Sequence, residues 1–261
     1  MSWSRGALPG RAAVKLAAVV LTGGLATFAL AGCYVNVNAG PLQHRTRSYS
    51  VTGPVRTLVV NAHVGGVRVT GGDSAKISVT EHISFRHTGP ATTHRAAGGT
   101  LTLDSNCPAG ETCGVAYDIT VPRSVTMRVS DGVGTIRLSS LTGQVTAHTD
   151  AGDVDLASVS GPINVSGQAG SILGQNVSSA RASLHVTAGT IEVTFSAAPA
   201  TLTATATAGS VTLRVPGSVP YAVDASTSVG STDVGVIRGA ASPHAITAST
   251  TTGSITIEPA P

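Results

Sequence analysis

The chain has 261 residues, of which 41% are hydrophobic but only 3% aromatic and 11% charged. This composition excludes a disordered tail, a helical bundle and a coiled coil, and it favours a β-rich protein of short strands and many turns. Three of the 16 basic residues fall in the first 32, where no acidic residue occurs, which leaves 13 basic against 13 acidic side chains in residues 33–261. That balance excludes the basic surface that nucleic-acid binding needs.

The first 32 residues are predicted to be an export signal. A basic segment, residues 1–15, precedes an apolar stretch, residues 16–30, that is too short for a permanent membrane span. The sequence Leu30-Ala31-Gly32-Cys33 is similar to the lipobox of bacterial lipoproteins. The resemblance implies that Cys33 is lipidated and becomes the first mature residue, anchored to the bacterial membrane or envelope on its extracytoplasmic side. An ordinary cleaved signal is the alternative.

Two further cysteines enclose a loop that contains Pro108 and Gly110. In an exported protein, such a pair, Cys107 and Cys113, is predicted to form a disulfide that staples a hairpin tip and contributes about 2 kcal/mol. A free thiol pair is the alternative. The histidines at 82, 87 and 94 share no strand face, so we expect surface histidines rather than a zinc site.

A short unit recurs in the second half of the chain. Each unit has a glycine followed by apolar residues at positions +2 and +4, and it is preceded by apolar residues at −7 and −5. The positions between them are mostly polar. This alternation predicts two strands per unit, each with one buried face, joined at a glycine corner. The corner glycines are Gly134, Gly152, Gly170, Gly189, Gly209, Gly230 and Gly253.

Seven units of about 20 residues predict a β-solenoid in which each coil pairs with the coils before and after it in sequence. A twisted β-sandwich is the alternative. Upstream, Gly65 and Gly99 start similar but more widely spaced patterns. We therefore expect a tether over 33–50, an irregular capping region over 51–130 and regular coils over 131–261, with 51–261 as one continuous domain. Pro259 and Pro261 are expected to stop pairing at the far end.

An irregular β region ending in Ile119-Thr120-Val121-Pro122, followed by serial G-[ST]-[IV]-x-[LV] units, resembles the bacterial "putative adhesin" β-strand-repeat family. The resemblance covers residues 51–258. It implies the repeat architecture and carries no catalytic residues, since the family is a domain of unknown function.

Candidate surface residues follow from the repeat register. Arg137 and Asp155 occupy one outward column on adjacent coils, which predicts an exposed ion pair. Asp153 belongs to the same acidic cluster, together with Asp131 and Asp150. For this cluster we weigh solvated charge against a weak calcium site and a catalytic pair of carboxylates. The outward columns before the glycines are rich in Ser and Thr and form a second candidate surface, which includes His148, Thr203 and Thr205.

These features predict a lipid-anchored, non-enzymatic scaffold for adhesion or for contact with a cell-wall glycan or envelope protein. We expect neither a cofactor nor a metal ion. Two alternatives remain at this point: an enzyme that acts on envelope polysaccharide through Asp153 and Asp155, and an envelope-stress accessory protein that binds a membrane sensor.

Overall fold

The computed structural model describes residues 40–261, which form 21 β-strands in two sheets. The predicted export signal and Cys33 lie outside the described residues. Among residues 40–261, no helix has the length and apolar character needed to cross a bilayer. Strands are numbered in chain order throughout.

Sheet A has 11 strands. In spatial order they are β1 (Gln43–Val51), β4 (Ile77–Phe85), β7 (Cys113–Pro122), β3 (Val67–Gly72), β9 (Ile136–Ser139), β11 (Val154–Ala157), β13 (Ile172–Val177), β15 (Ile191–Phe195), β17 (Val211–Val215), β21 (Ile255–Pro259) and β19 (Thr232–Val234).

Sheet B has ten strands. In spatial order from the opposite end of the stack they are β18 (Ala222–Val229), β20 (Ala245–Thr252), β16 (Thr201–Ala208), β14 (Arg181–Ala188), β12 (Ile163–Ala169), β10 (Val145–Ala151), β8 (Thr126–Val133), β2 (Thr57–Val64), β6 (Thr100–Asn106) and β5 (Ala91–Ala97).

Each regular coil contributes one strand to each sheet, with a corner glycine between them. Equivalent residues of successive coils stack in parallel register, as in the pairing of Val145 with Ile163 in sheet B and of Val154 with Ile172 in sheet A. The predicted apolar columns face inward and are almost entirely buried between the sheets. The predicted β-solenoid is therefore confirmed, and the alternative of a twisted β-sandwich is not the fold.

The corner glycines bring successive backbones closer than a side chain permits. Gly152 has a φ of 144°, in the region that L-residues with side chains rarely adopt. A Cβ atom at this position would overlap the carbonyl oxygen of Gly134 in the neighbouring coil. The recurrence of glycine is thus a requirement of the stacking distance between coils as well as of the turn.

The N-terminal end of the stack differs in part from the prediction. Strands β2 and β3 form a regular coil around Gly65 that pairs directly with β8 and β9. The irregular elements are β1, β4 and β5, which pair antiparallel, and we call their edge the N-terminal end. The predicted tether 33–50 is wrong over residues 43–50, because they belong to β1.

The repeat template is also misplaced at Gly99. Leu101 pairs with Leu58 and Leu103 with Val60, so both leucines lie in sheet B, in the columns that precede a corner glycine. Gly98 and Gly99 instead form the turn between the antiparallel strands β5 and β6, both with positive φ. A glycine before two alternating leucines can therefore be either a corner between the two sheets or a turn between antiparallel strands, and its spacing in the sequence did not distinguish the two.

The C-terminal end departs from sequence order. Strands β20 and β21, which flank Gly253, pair with β16 and β17 on one side and with β18 and β19 on the other. The coil around Gly230 is therefore the outermost one, and we call the edge formed by β18 and β19 the C-terminal end. The expectation of strictly sequential stacking is wrong for these last two coils. Pro259 consequently lies inside the stack, beside Val215, rather than at its end.

The predicted disulfide between Cys107 and Cys113 is present, with a Cα–Cα distance of 5.8 Å. It does not staple a hairpin tip. Residues 107–112 connect β6 of sheet B to β7 of sheet A, so the disulfide closes the corner of the coil beside β2 and β3, where regular coils have a glycine.

Candidate functional site

The predicted surface residues lie on opposite faces of the solenoid. Arg137 and Asp155 are on the outer face of sheet A, whereas His148, Thr203 and Thr205 are on the outer face of sheet B. The two sheets and the core between them separate these groups, so they do not form one site.

On sheet A, the predicted ion pair is confirmed, with Arg137 Nε 3.0 Å from Asp155 Oδ2. Asp153 lies at the corner, where its Oδ1 accepts a hydrogen bond of 2.8 Å from the backbone N–H of Ser171. Both carboxylates thus have structural partners in the adjacent coil. Contacts between adjacent coils are therefore a sufficient reason for aspartate at both positions.

On sheet B, the polar columns form short hydrogen-bonded ladders between coils. The Nδ1 atom of His148 lies 2.9 Å from Ser166 Oγ, and its Nε2 atom lies 3.2 Å from Asp150 Oδ1. Ser249 donates a hydrogen bond of 3.2 Å to Thr205 Oγ1. His148 and Thr205 thus have side-chain partners on this polar face.

Asp131 does not belong to the exposed acidic cluster in which the sequence placed it. Its side chain is fully buried, at an inward position of β8 next to Thr149. Burial raises the pKa of the Asp131 carboxyl, because the ionised form loses hydration. The sequence contained a signal for this burial. Asp131 stands at position −3 relative to Gly134, which continues the alternation of the inward positions −7 and −5.

A depression with a volume of about 440 Å³ lies on the outer face of sheet A. It lies where the pairing between β13 and β15 shifts register between Gly174 and Val177. Gly174 stands where other coils have Leu138, Leu156 or Val193, and a Cβ there would contact the Val193 side chain at 2.6 Å. The register shift brings Val177 into the buried layer opposite Phe195.

Neutral hydrogen-bonding groups, one apolar side chain and two charged residues, Glu192 and Arg214, line this depression. Gln175, Asn176 and Thr194 supply amide and hydroxyl groups, and Leu173 is 39% exposed. The Asn176 amide nitrogen donates to Ser158 Oγ at 3.0 Å, which holds that side chain in place. The site thus offers oriented polar groups beside a small apolar surface.

The charged groups at the depression form one network of two carboxylates and one guanidinium, with a net charge of −1. Arg214 donates hydrogen bonds to Glu192 Oε1 at 2.6 Å and to Glu258 Oε1 at 2.7 Å. These two hydrogen bonds raise the pKa of Arg214, so its guanidinium stays charged and fixed between the carboxylates. A ligand in the depression would therefore meet a guanidinium that is already paired with carboxylates.

The predicted surface residues did not include this depression, although one signal for it was present in the sequence. The third corner unit reads Gly170-Ser171-Ile172-Leu173-Gly174, so its +4 position is glycine instead of Ile, Val or Leu. An interrupted column indicates either a bulge or a gap in the stack.

Among the described residues, no group of three or more His, Cys, Asp or Glu side chains is arranged to hold a metal ion.

A profile of the Toastrack DUF4097 family matches residues 118–258. Among solved structures, a "putative adhesin" from Bacteroides fragilis shares 17% identity and a TM-score of 0.44, covering 84% of this chain and 97% of its own. A "putative cell adhesion protein" from Clostridium sporogenes shares 13% identity and a TM-score of 0.37, covering 84% of this chain and all of its own. No curated protein gives a significant match.

Proposed function

This chain belongs to the Toastrack DUF4097 family, and we propose that it is a lipid-anchored, non-enzymatic scaffold that binds envelope glycan on the outer face of sheet A. The single observation that carries the binding proposal is the depression at Gly174. It combines neutral hydrogen-bonding side chains with an exposed leucine on a rigid parallel sheet.

A glycan suits this lining for chemical reasons. Sugar hydroxyl and acetamido groups are both donors and acceptors, and so are the side-chain amides of Gln175 and Asn176 and the hydroxyl of Thr194. Leu173 offers an apolar contact for the face of a sugar ring. The stacked strands hold these groups in place before binding, which lowers the entropic cost of association.

The proposed anchor rests on the sequence Leu30-Ala31-Gly32-Cys33, which is similar to a lipobox. The anchor would place the solenoid beside the envelope glycan. We expect the wild-type chain in the membrane fraction of a bacterial host and a Cys33→Ser variant in the soluble extracytoplasmic fraction. Equal amounts of the variant and the wild type in the membrane fraction would contradict lipidation at Cys33.

Glycan binding is tested by co-sedimentation of the full chain with purified peptidoglycan sacculi. The double variant Gln175→Ala with Thr194→Ala removes two hydrogen-bonding side chains, and we expect roughly tenfold weaker binding. The matched control, Thr203→Ala with Thr205→Ala, changes the opposite face and is expected to bind like the wild type. Absence of wild-type binding, or equal loss in both variants, would overturn the proposed site.

A further inference from the structure

The C-terminal end of the solenoid leaves part of its interior open. Val223 and Ala225 of β18 are partly exposed, whereas their counterparts in β20, Ile246 and Ala248, are buried. At the same end, Val229 is 64% exposed and Ile237 57%. Within residues 40–261, no strand pairs with the outer edges of β18 and β19.

The N-terminal end covers its interior with polar and cationic side chains. Arg47 of β1 reaches across to β5 and donates a hydrogen bond of 3.4 Å to Thr92. The guanidinium of Arg45 lies over the Phe85 ring, 5.7 Å from its centre. Arg45 and Arg47 stand opposite the inward residues Ile83 and Glu81, so their apolar stems and charged head groups lie over the interior at this end.

The charges on the edge strands of the two ends are opposite. Strands β1 and β5 carry three arginines and no carboxylate, whereas β18 and β19 carry two aspartates and no cation. The arginines are Arg45, Arg47 and Arg95, and the aspartates are Asp224 and Asp233. The loop after β19 adds one cation to the C-terminal end, Arg238.

Strand direction also permits the two ends to meet. Strand β1 is antiparallel to β4, which is antiparallel to β7, so β1 runs in the same direction as the regular strands of sheet A. A second molecule displaced along the solenoid axis would therefore place its β1 parallel to β19. Its β5 would lie antiparallel to β18, since β5 is antiparallel to β6. In sheet B, Arg95 and Asp224 both project from the outer face, as their strand partners Thr102 and Thr247 do.

We propose that the C-terminal end binds the N-terminal end of a second copy of this chain. Asp224 on the outer face of sheet B then meets Arg95 of the second copy, and the apolar side chains of β18 are covered by the stems of Arg45 and Arg47, which lie over the interior. The contact joins two different surfaces, so it repeats from copy to copy and yields open head-to-tail chains instead of a closed dimer. This association is independent of glycan binding at the Gly174 depression.

Sedimentation velocity of the full chain over a range of concentrations tests the proposal. At about 10 mM salt we expect the average mass to rise with concentration past that of a dimer, and at about 0.5 M salt we expect at least fivefold weaker association. Two charge reversals are informative: Asp224→Lys with Asp233→Lys, and Arg45→Glu with Arg47→Glu and Arg95→Glu. Each variant alone is expected to stay monomeric, and an equimolar mixture is expected to associate.

A control with the same net change of charge as the aspartate reversal, Asp150→Lys with Asp155→Lys, alters the middle coils and is expected to associate like the wild type. Thermal melting of every variant checks that the fold is kept. Three results would overturn the proposal: a wild-type chain that is monomeric throughout, an arginine-reversal variant that still dimerises through paired C-terminal ends, or a mixture that fails to associate.

Discussion

The N-terminal end of the stack is covered, and the C-terminal end is open. At the first, antiparallel strands, a disulfide and the hydrogen bond of 2.9 Å from Tyr49 Oη to the buried carboxylate of Glu81 complete the interior. At the second, the segment after β19 pairs with Tyr221 and covers one corner, and the inner side chains of β18 stay partly exposed. A solenoid therefore needs a dedicated sequence to end, because repetition alone leaves an unpaired edge.

The last two coils of the stack do not follow chain order. Strands β20 and β21 follow β18 and β19 in the chain but lie between two other coils, so they are paired on both sides. The coil that is exposed, β18 and β19, is an internal segment held at both of its ends by covalent connection.

Removing residues 245–261 is expected to have the greatest consequence for the open end. Truncation after His244 deletes β20 and β21, which are the only described strands that pair with β18 and β19. Loss of the buried side chains Ile246, Ile255 and Ile257 alone is expected to lower the free energy of unfolding by more than about 5 kcal/mol. Hydrogen exchange of residues 222–234 measures the predicted loss of protection.

A matched deletion separates this effect from mere shortening. Replacing residues 217–243 with a Gly–Ser linker of about six residues removes the outer coil and joins β17 to β20 directly. The remaining coils are expected to keep their protection. If the truncated chain retained protected amides in residues 222–234, the stacking order at this end would be contradicted.

The second prediction compares one substitution at two depths in the stack. Gly152→Ala, in the middle of the stack, places a Cβ against the Gly134 carbonyl. Gly230→Ala, in the outermost coil, places a Cβ against the carbonyl of Gly253 in the neighbouring coil. Neighbouring coils hold Gly152 on both sides, whereas the Gly230 coil can shift outward. Denaturant unfolding is expected to show a loss of about 3 kcal/mol for Gly152→Ala and a smaller one for Gly230→Ala. Equal losses would argue against an open C-terminal end.

The third prediction opens the covered end. Cys107→Ser with Cys113→Ser removes the link across the corner between β6 and β7, and it is expected to lower the free energy of unfolding by about 2 kcal/mol. Hydrogen exchange should increase in these two strands and remain unchanged in β18 and β19. Reduction of the wild-type disulfide provides the control, and a uniform increase along the whole chain would count against a local role.

The last and mildest change concerns the interior near the N-terminal end, where Asp131 is buried. Because its folded-state pKa is raised above the ordinary value of 3.8, the folded state binds the proton more tightly than the unfolded state. Stability is therefore lost as the pH rises from that value through the raised pKa. Asp131→Asn is expected to stabilise the protein by about 1 kcal/mol at neutral pH and to have little effect near pH 3.

Thermal melting at both pH values measures this difference. The exposed carboxylate of Asp224 at the C-terminal end gives the control, since Asp224→Asn should show no comparable gain at neutral pH. An Asp131→Asn variant that is less stable than the wild type at neutral pH would show that the ionised carboxylate is satisfied within the core.

The repeat pattern of the sequence was sufficient to predict the stacked columns of residues, but not the places where the structure departs from them. The pairing of Arg137 with Asp155 follows directly from the repeat register and is present. The depression at Gly174 depends on a register shift between β13 and β15, where Val177 packs opposite Phe195. The repeat pattern of the sequence does not distinguish these two strands from the others. Asp131 has the same residue type as exposed neighbours, and its burial follows only from its phase within β8.

The β-solenoid, its glycine corners, its inward columns and the disulfide partners could all be predicted from the amino-acid sequence, because they depend on alternation and spacing over a few residues. The identity of the outermost coil, the strands that cover the N-terminal end and the place where the outer face is indented emerged only from the folded chain. Every regular coil presents nearly the same edge, so pairing energies between neighbouring coils are similar. Stacking order is then set by connection lengths and by the few side chains at the two ends.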